Sequence, residues 1–176
     1  LFPYTTLFRS FTFHPETIAY ERNEQHISEI INAILKLSQY QFLITMPNAD
    51  TSGMIIRDAL IRRLDGRDNI KVIESLGSRD YLSAMKYCSF LMGNSSSGFV
   101  EASFFSKPVI NLGKRQEGRI KTQNIITVDI DEASILKSVK KIESLSGIVI
   151  KSVYGNGSAA SKIVRVLKNM YHLKHN

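Results

Sequence analysis

Apolar residues recur along this chain in two alternating rhythms. Ile27, Ile30, Ile31, Ile34 and Leu35 follow an i, i+3, i+4, i+7, i+8 spacing, which predicts an amphipathic helix over 23–38. Short, mainly apolar runs mark strands: Phe11 to Phe13, Gln41 to Met46, Ile70 to Ile73, Phe90 to Met92, Val109 to Leu112 and Ile125 to Val128. Such runs are too short for buried helices and too uniformly apolar for half-exposed strands. Helical stretches separate them. One is capped by Thr51 and Ser52, carries Ile55, Ile56, Ala59 and Leu60, and ends near Gly66; another runs from Ser78 to Tyr87. Three more fall at about Phe99–Phe105, 131–145 and 158–172, the last opened by Gly155-Asn156-Gly157-Ser158. Strands alternating with helices imply βαβ units, hence a Rossmann-like α/β domain whose parallel sheet is covered by helices on both faces.

That architecture turns the loops after the strands into the places to look for chemistry, because ligands of open parallel sheets bind off the carboxyl ends of the strands. Gly93-Asn94-Ser95-Ser96-Ser97-Gly98 follows one strand and opens a helix. Unpaired N–H groups, hydroxyl donors and small glycines suit such a turn to phosphate. By itself the turn also reads as an ordinary helix cap. Glu101 follows within the same helix, where a carboxylate can accept from a ribose diol, although an isolated glutamate there is as readily a surface residue. Asn111-Leu112-Gly113-Lys114-Arg115-Gln116-Glu117-Gly118-Arg119 follows another strand. Arg115 in that loop can fork onto a diphosphate, or be solvated charge. His14 stands after the first strand, and an imidazole titrates near neutrality, suited to donating to a leaving oxygen or shuttling a proton. His26, His172 and His175 read as surface residues.

Composition narrows the partners. The 176 residues carry a net charge of +7, with 43% hydrophobic and 22% charged residues, as expected of one globular domain. Basic residues are scattered rather than massed. Arg57, Arg62, Arg63 and Arg67 read as a solvated helix face, and Lys114, Arg115, Arg119 and Lys121 form the more suggestive group. An anionic small substrate therefore fits better than nucleic acid or a membrane surface. No apolar run reaches the roughly 18 residues of a membrane span, no signal peptide is apparent, and a single cysteine, Cys88, fits a reducing cytoplasm. No Cys/His cluster has metal-ligand spacing, and neither the lysine-bearing phosphate loop nor the dinucleotide glycine triplet occurs, so neither metal nor cofactor is expected.

Taken together and in order, His14-Pro15-Glu16-Thr17, Pro47-Asn48-Ala49-Asp50, Gly93 to Gly98 with Glu101, Ile110 to Arg119, and Tyr154 to Ala160 resemble the hydrolysing UDP-N-acetylglucosamine 2-epimerases. The non-hydrolysing branch usually carries His-Arg-Arg-Glu where this chain has His-Pro-Glu-Thr. The resemblance spans nearly all of 11–176 and implies the C-terminal, UDP-binding lobe of a two-lobed GT-B-type fold. It implies Ser95 and Ser96 on the diphosphate, Glu101 on the ribose, and Arg115 on the phosphate side. It also implies Asn48 and the Leu76-Gly77 loop near the nucleotide, and His14 facing the sugar–phosphate junction. The family reaction eliminates UDP to give a glycal and adds water to give N-acetylmannosamine, feeding sialic or nonulosonic acid synthesis. Its acid and base groups are mostly carboxylates of the other lobe, so the fragment alone is expected to be inactive. UDP-N-acetylglucosamine and a UDP-2,4-diacetamido-trideoxyhexose both suit the resemblance, as does a homo-oligomer of the intact protein. A GT-B glycosyltransferase and a non-catalytic nucleotide-binding module are the rival readings. Residues 1–10, Leu-Phe-Pro-Tyr-Thr-Thr-Leu-Phe-Arg-Ser, read as a translated sequencing-adapter primer and are set aside from the domain, 11–176.

Overall fold

The computed structural model describes residues 7–16, 20–48, 51–144, 150 and 152–174. Readings that fall on Thr17, Ala49, Asp50 and His175, on the capping by Thr51 and Ser52, and on the side chain of His172 lie outside the described residues. Six strands form one sheet: β1 (Phe8–Thr12), β2 (Gln41–Thr45), β3 (Ile70–Ile73), β4 (Leu91–Gly93), β5 (Val109–Leu112) and β6 (Ile125–Val128). The helices are α1 (Asn23–Lys36), α2 (Thr51–Leu64), α3 (Gly77–Tyr87), α4 (Glu101–Phe104), α5 (Glu132–Glu143) and α6 (Ala159–Lys174). Strand order is β3-β2-β1-β4-β5-β6, with every pair parallel. This is the expected Rossmann-like sheet, and its order reverses between β1 and β4.

The strand pattern follows from burial. β5 is buried along its whole length, because both faces are covered, which is why its sequence lacks polar alternation. Phe11, Phe13, Phe42, Ile44, Met92 and Ile110 pack with Ile27, Ile30, Ile31 and Ile34 of α1, Ile56 and Leu60 of α2, and Ile135 and Val139 of α5. On the opposite side chain parity, Leu91 and Val109 pack with Met85, Cys88 and Ala102. Each such fully buried aliphatic or aromatic side chain contributes about 1.5–3 kcal/mol. Burial also pushes the Cys88 thiol up to about 12, which keeps it protonated and unreactive at neutral pH.

Four expectations are corrected. β1 begins at Phe8, inside the decapeptide that was set aside, with Phe8 to Thr12 in register with Gln41 to Thr45. A parallel ladder is built from main-chain groups, and any sequence supplies those. Arg9 adds a stack on the Tyr40 ring at 3.9 Å. Ser78 does not cap α3: the cap residue is Leu76, which has no side-chain cap bond. The helix expected over Phe99–Phe105 is a three-residue 3-10 turn, Ser96–Gly98, followed by the single turn of α4. His26 is not a surface residue; only 13% of its side chain is exposed, 3.8 Å from Glu16, and burial lowers its pKa against the raising effect of Glu16.

α6 stands apart. Ile163, Val166, Leu167 and Met170 are all more than half exposed. Asn156 accepts from both the N–H and the hydroxyl of Ser158 just before α6, as the Gly-Asn-Gly-Ser signal suggested. Among the described residues no helix is long and apolar enough to cross a membrane.

Candidate functional site

The candidate residues fall along one rim of the sheet. Leu76 follows β3, Asn48 follows β2, His14 follows β1, Ser95 and Ser96 follow β4, and Arg115 follows β5. Because all strands are parallel, these loops leave the same, carboxyl, edge in sheet order. The candidates therefore line an open rim rather than an enclosed cavity. Leu76 borders a depression of about 300 Å³ with Thr45, Ser75 and Tyr81. Arg115 borders another of about 670 Å³ with Glu16, His26 and Asp131. Asn48 and Arg115 are exposed, while His14, Leu76, Ser95, Ser96 and Glu101 are half-buried.

Asn94 joins the centre of this rim. Fully buried, it accepts from the His14 N–H at 2.7 Å and donates its amide to the His14 carbonyl at 2.8 Å. Its own N–H donates to the Thr12 carbonyl at 3.2 Å. Its carbonyl accepts from Gln116 Nε2 at 2.8 Å and from Arg115 Nη1 at 3.2 Å. One residue thus ties the ends of β1, β4 and β5 together where the strand order reverses. Gly93, beside it, has φ 137°, a backbone state that favours glycine.

The serine turn rests on hydroxyls more than on a helix dipole, because the helical segment is short and a macrodipole needs length. Ser95 accepts from the Ser97 N–H and from the Ser97 hydroxyl at 3.0 Å. Ser97 in turn contacts the Tyr81 hydroxyl at 2.7 Å. Glu101 begins α4 and stays half-buried rather than in the core.

On the other flank, Arg57 is not the solvated charge expected of its group. It donates to the Pro47 carbonyl at 3.1 Å and to Glu74 at 2.5 Å, and so braces the loops that carry Asn48 and Leu76. The Arg57 hydrogen bond holds the Glu74 carboxyl below the usual carboxylate range. Glu16 likewise supports the basic loop, accepting from the Lys114 N–H at 3.2 Å.

Sequence reasoning missed Asn94, Gln116, Tyr81, Glu16 and Arg57 as parts of this rim. All five act through contacts to residues at least 16 positions away, which no local spacing reveals. Asn94 and Gln116 did stand inside the quoted motifs, so their position was visible even though their role was not.

Comparison with known proteins adds to this geometry. The family described as UDP-N-acetylglucosamine 2-epimerase matches residues 6–168. A Campylobacter jejuni protein named GDP/UDP-N,N'-diacetylbacillosamine 2-epimerase (hydrolyzing) is 36% identical over 76% of this chain and 34% of its own length. The Staphylococcus aureus MnaA–UDP co-structure superimposes with a TM-score of 0.78 at 18% identity, over 97% of this chain and 47% of that one. A Neisseria meningitidis UDP-GlcNAc 2-epimerase bound to UDP-GlcNAc gives 0.74 at 19% identity, over 93% of this chain and 45% of that one. The chain thus spans less than half the length of these relatives.

Proposed function

Because the chain belongs to the UDP-N-acetylglucosamine 2-epimerase family, we propose that its rim is the nucleotide half of a hydrolysing UDP-amino-sugar 2-epimerase. The observation that carries the reading is the alignment of five strand-end loops along one edge, clamped at the strand-order reversal by Asn94. A diphosphate laid across that point meets the Ser95 and Ser96 hydroxyls and the Arg115 guanidinium, all donors. Glu101 accepts from the ribose diol. Asn48 and Leu76 border the nucleotide toward β3, and His14, held at both its backbone groups by Asn94, faces the sugar–phosphate junction. There a proton from an imidazole offsets charge developing on the departing phosphate oxygen.

In this reading the C1–O bond breaks as a base removes the proton from C2. UDP leaves and water adds to the resulting double bond with the opposite configuration at C2. Apart from His14, the acid and base groups around C2 are mostly carboxylates of the other lobe. The substrate is UDP-N-acetylglucosamine or a UDP-diacetamido sugar, the latter supported by the similarity to the C. jejuni protein named GDP/UDP-N,N'-diacetylbacillosamine 2-epimerase (hydrolyzing). The product enters sialic or nonulosonic acid synthesis in the cytoplasm.

Two results are expected. Calorimetry on the 176-residue chain detects UDP binding, and a product assay detects no free 2-epimerised amino sugar; turnover by this chain would refute the division of labour. Arg115→Ala weakens UDP binding far more than Arg62→Ala. A charge-assisted hydrogen bond to phosphate is worth about 1.5–3 kcal/mol, or roughly tenfold to hundredfold in affinity. Arg62 is exposed on α2 and donates only to the Asp58 carbonyl, so its loss costs well under about 1 kcal/mol through screened long-range attraction. Arg115→Lys restores part of the affinity, since an ammonium keeps the charge without the planar fork. Equal affinities for the two alanine variants would show that the basic loop is only solvated.

A further inference from the structure

A line of hydroxyls runs beneath the serine turn. Thr45 and Thr12, at the carboxyl ends of β2 and β1, have their side-chain oxygens 2.5 Å apart. Thr12 lines a small pocket together with Ser95, Ser97 and the phenol of Tyr81, which reaches in from α3. The Tyr81 oxygen lies 2.7 Å from the Ser97 hydroxyl, and the Ser97 hydroxyl donates to Ser95 at 3.0 Å.

The direction of this line follows from counting protons. A hydroxyl has one hydrogen to give and two lone pairs to receive. Ser97 gives its hydrogen to Ser95, so the contact with Tyr81 is one in which Tyr81 donates. Tyr81 has then used its only hydrogen, so its oxygen can only receive from any further partner. At the far end, Ser95 receives from both the N–H and the hydroxyl of Ser97. Its lone pairs are occupied, and its one hydrogen is directed away from Ser97. A free serine hydroxyl rotates between giving and receiving, but this one is left only able to give. Successive hydrogen bonds in one direction also polarise one another, which strengthens the last donor. Burial pushes the Tyr81 phenol above its ordinary range, so Tyr81 keeps the proton it must give.

We propose that Tyr81 is a positioning residue for phosphate recognition: acting through Ser97, it fixes Ser95 as an obligate hydrogen-bond donor to a phosphoryl oxygen of a nucleoside diphosphate. The proposal rests on the reading of the rim as a UDP site and extends it to a residue that touches no ligand. The sequence of α3 offered no hint of it, since an isolated tyrosine on a polar helix reads as packing.

The test is a double-mutant cycle on the chain, with UDP as the probe and two readouts, the UDP Kd and the urea unfolding midpoint. Tyr81→Phe keeps the ring and removes only the hydroxyl. It is expected to weaken UDP binding about fivefold with little change in midpoint, and Ser95→Ala about tenfold. The double variant should be no weaker than Ser95→Ala alone, because both changes disable the same donor. Ser97→Ala, which cuts the line one link further on, should match Tyr81→Phe. Losses that multiply in the double variant, or a lowered midpoint with unchanged UDP affinity, would overturn the positioning role. Failure of the parent chain to bind UDP would overturn the nucleotide reading and this proposal with it, and is seen before any variant is made.

Discussion

Gly93→Ala is expected to lower the unfolding free energy by about 3–5 kcal/mol, near the top of what single substitutions do. A Cβ at this position would lie 2.7 Å from the Thr12 carbonyl carbon and closer still to its oxygen. Overpacking in a core commonly costs about 1–3 kcal/mol when neighbouring side chains can move aside. Here the obstacle is the main chain of the central strand, already paired through Thr12 to Gly93, so relaxation means separating β1 from β4. The residue also holds φ 137°, which adds strain for any L side chain. Gly66→Ala is the control: its φ is 78° and a Cβ there meets nothing within 4 Å, so it costs only about 1–2 kcal/mol of backbone strain. Urea unfolding with an unchanged m-value gives both numbers. Equal midpoints for the two variants would mean that β1 and β4 are not so closely paired.

Asn94→Ala is the second large effect, at about 2–4 kcal/mol. The substitution leaves the N–H and carbonyl of His14 without the partners they have at 2.7 and 2.8 Å. Leaving such groups unsatisfied costs about 1–3 kcal/mol each, part of it recovered where water reaches the half-buried His14. The Asn94 carbonyl survives, so Gln116 and Arg115 keep their acceptor. UDP affinity should nevertheless fall, because the clamp sets His14 against the serine turn. Asn94→Asp should not rescue: it keeps the acceptor but turns a carboxylate oxygen toward the His14 carbonyl. Asn69→Ala makes a fair comparison, since Asn69 also donates to two carbonyls, Ser38 and Tyr40, but sits at the half-exposed end of the sheet. A smaller loss for Asn94→Ala than for Asn69→Ala would contradict the clamp.

These two residues show where reading a sequence stops. The strands β3, β5 and β6 were legible to the residue: β5 is buried along its whole length, and the edge strands β3 and β6 are short, mainly apolar segments rich in β-branched residues. The placement of the candidate loops was legible too, since a parallel sheet sends every strand-end loop to one edge. The helix after the serine turn was not: Val100 and Glu101 continue the helical path, but Ser96–Gly98 winds as 3-10, a choice set by hydrogen bonds to Ser96 rather than by propensity. Nor was Asn94 legible as a clamp, because its partner lies 80 residues away. Tyr81 belonged to a helix whose buried face within the described residues is small, with Met85 its one buried residue, so its phenol gave no periodic signal. Arg57 misled for the opposite reason: it is one of four arginines in a short basic stretch, and its partners Pro47 and Glu74 lie on two other loops.

The reversal of strand order has a kinetic side. β1–β2 and β2–β3 each join segments separated by a single helix, whereas the pairing of Ser10 with Leu91 closes a loop over α1, β2, α2, β3 and α3. Long closures carry the larger entropy and slow the step that makes them. The half of the sheet formed by β1, β2 and β3 can thus assemble from near neighbours and still hold only the loops of His14, Asn48 and Leu76, since Asn94 and Arg115 join them only once β4 and β5 are in place. On the proposed reading, a nucleotide spanning both halves of the rim binds only the completed sheet, so by mass action it stabilises that fold over its partial forms.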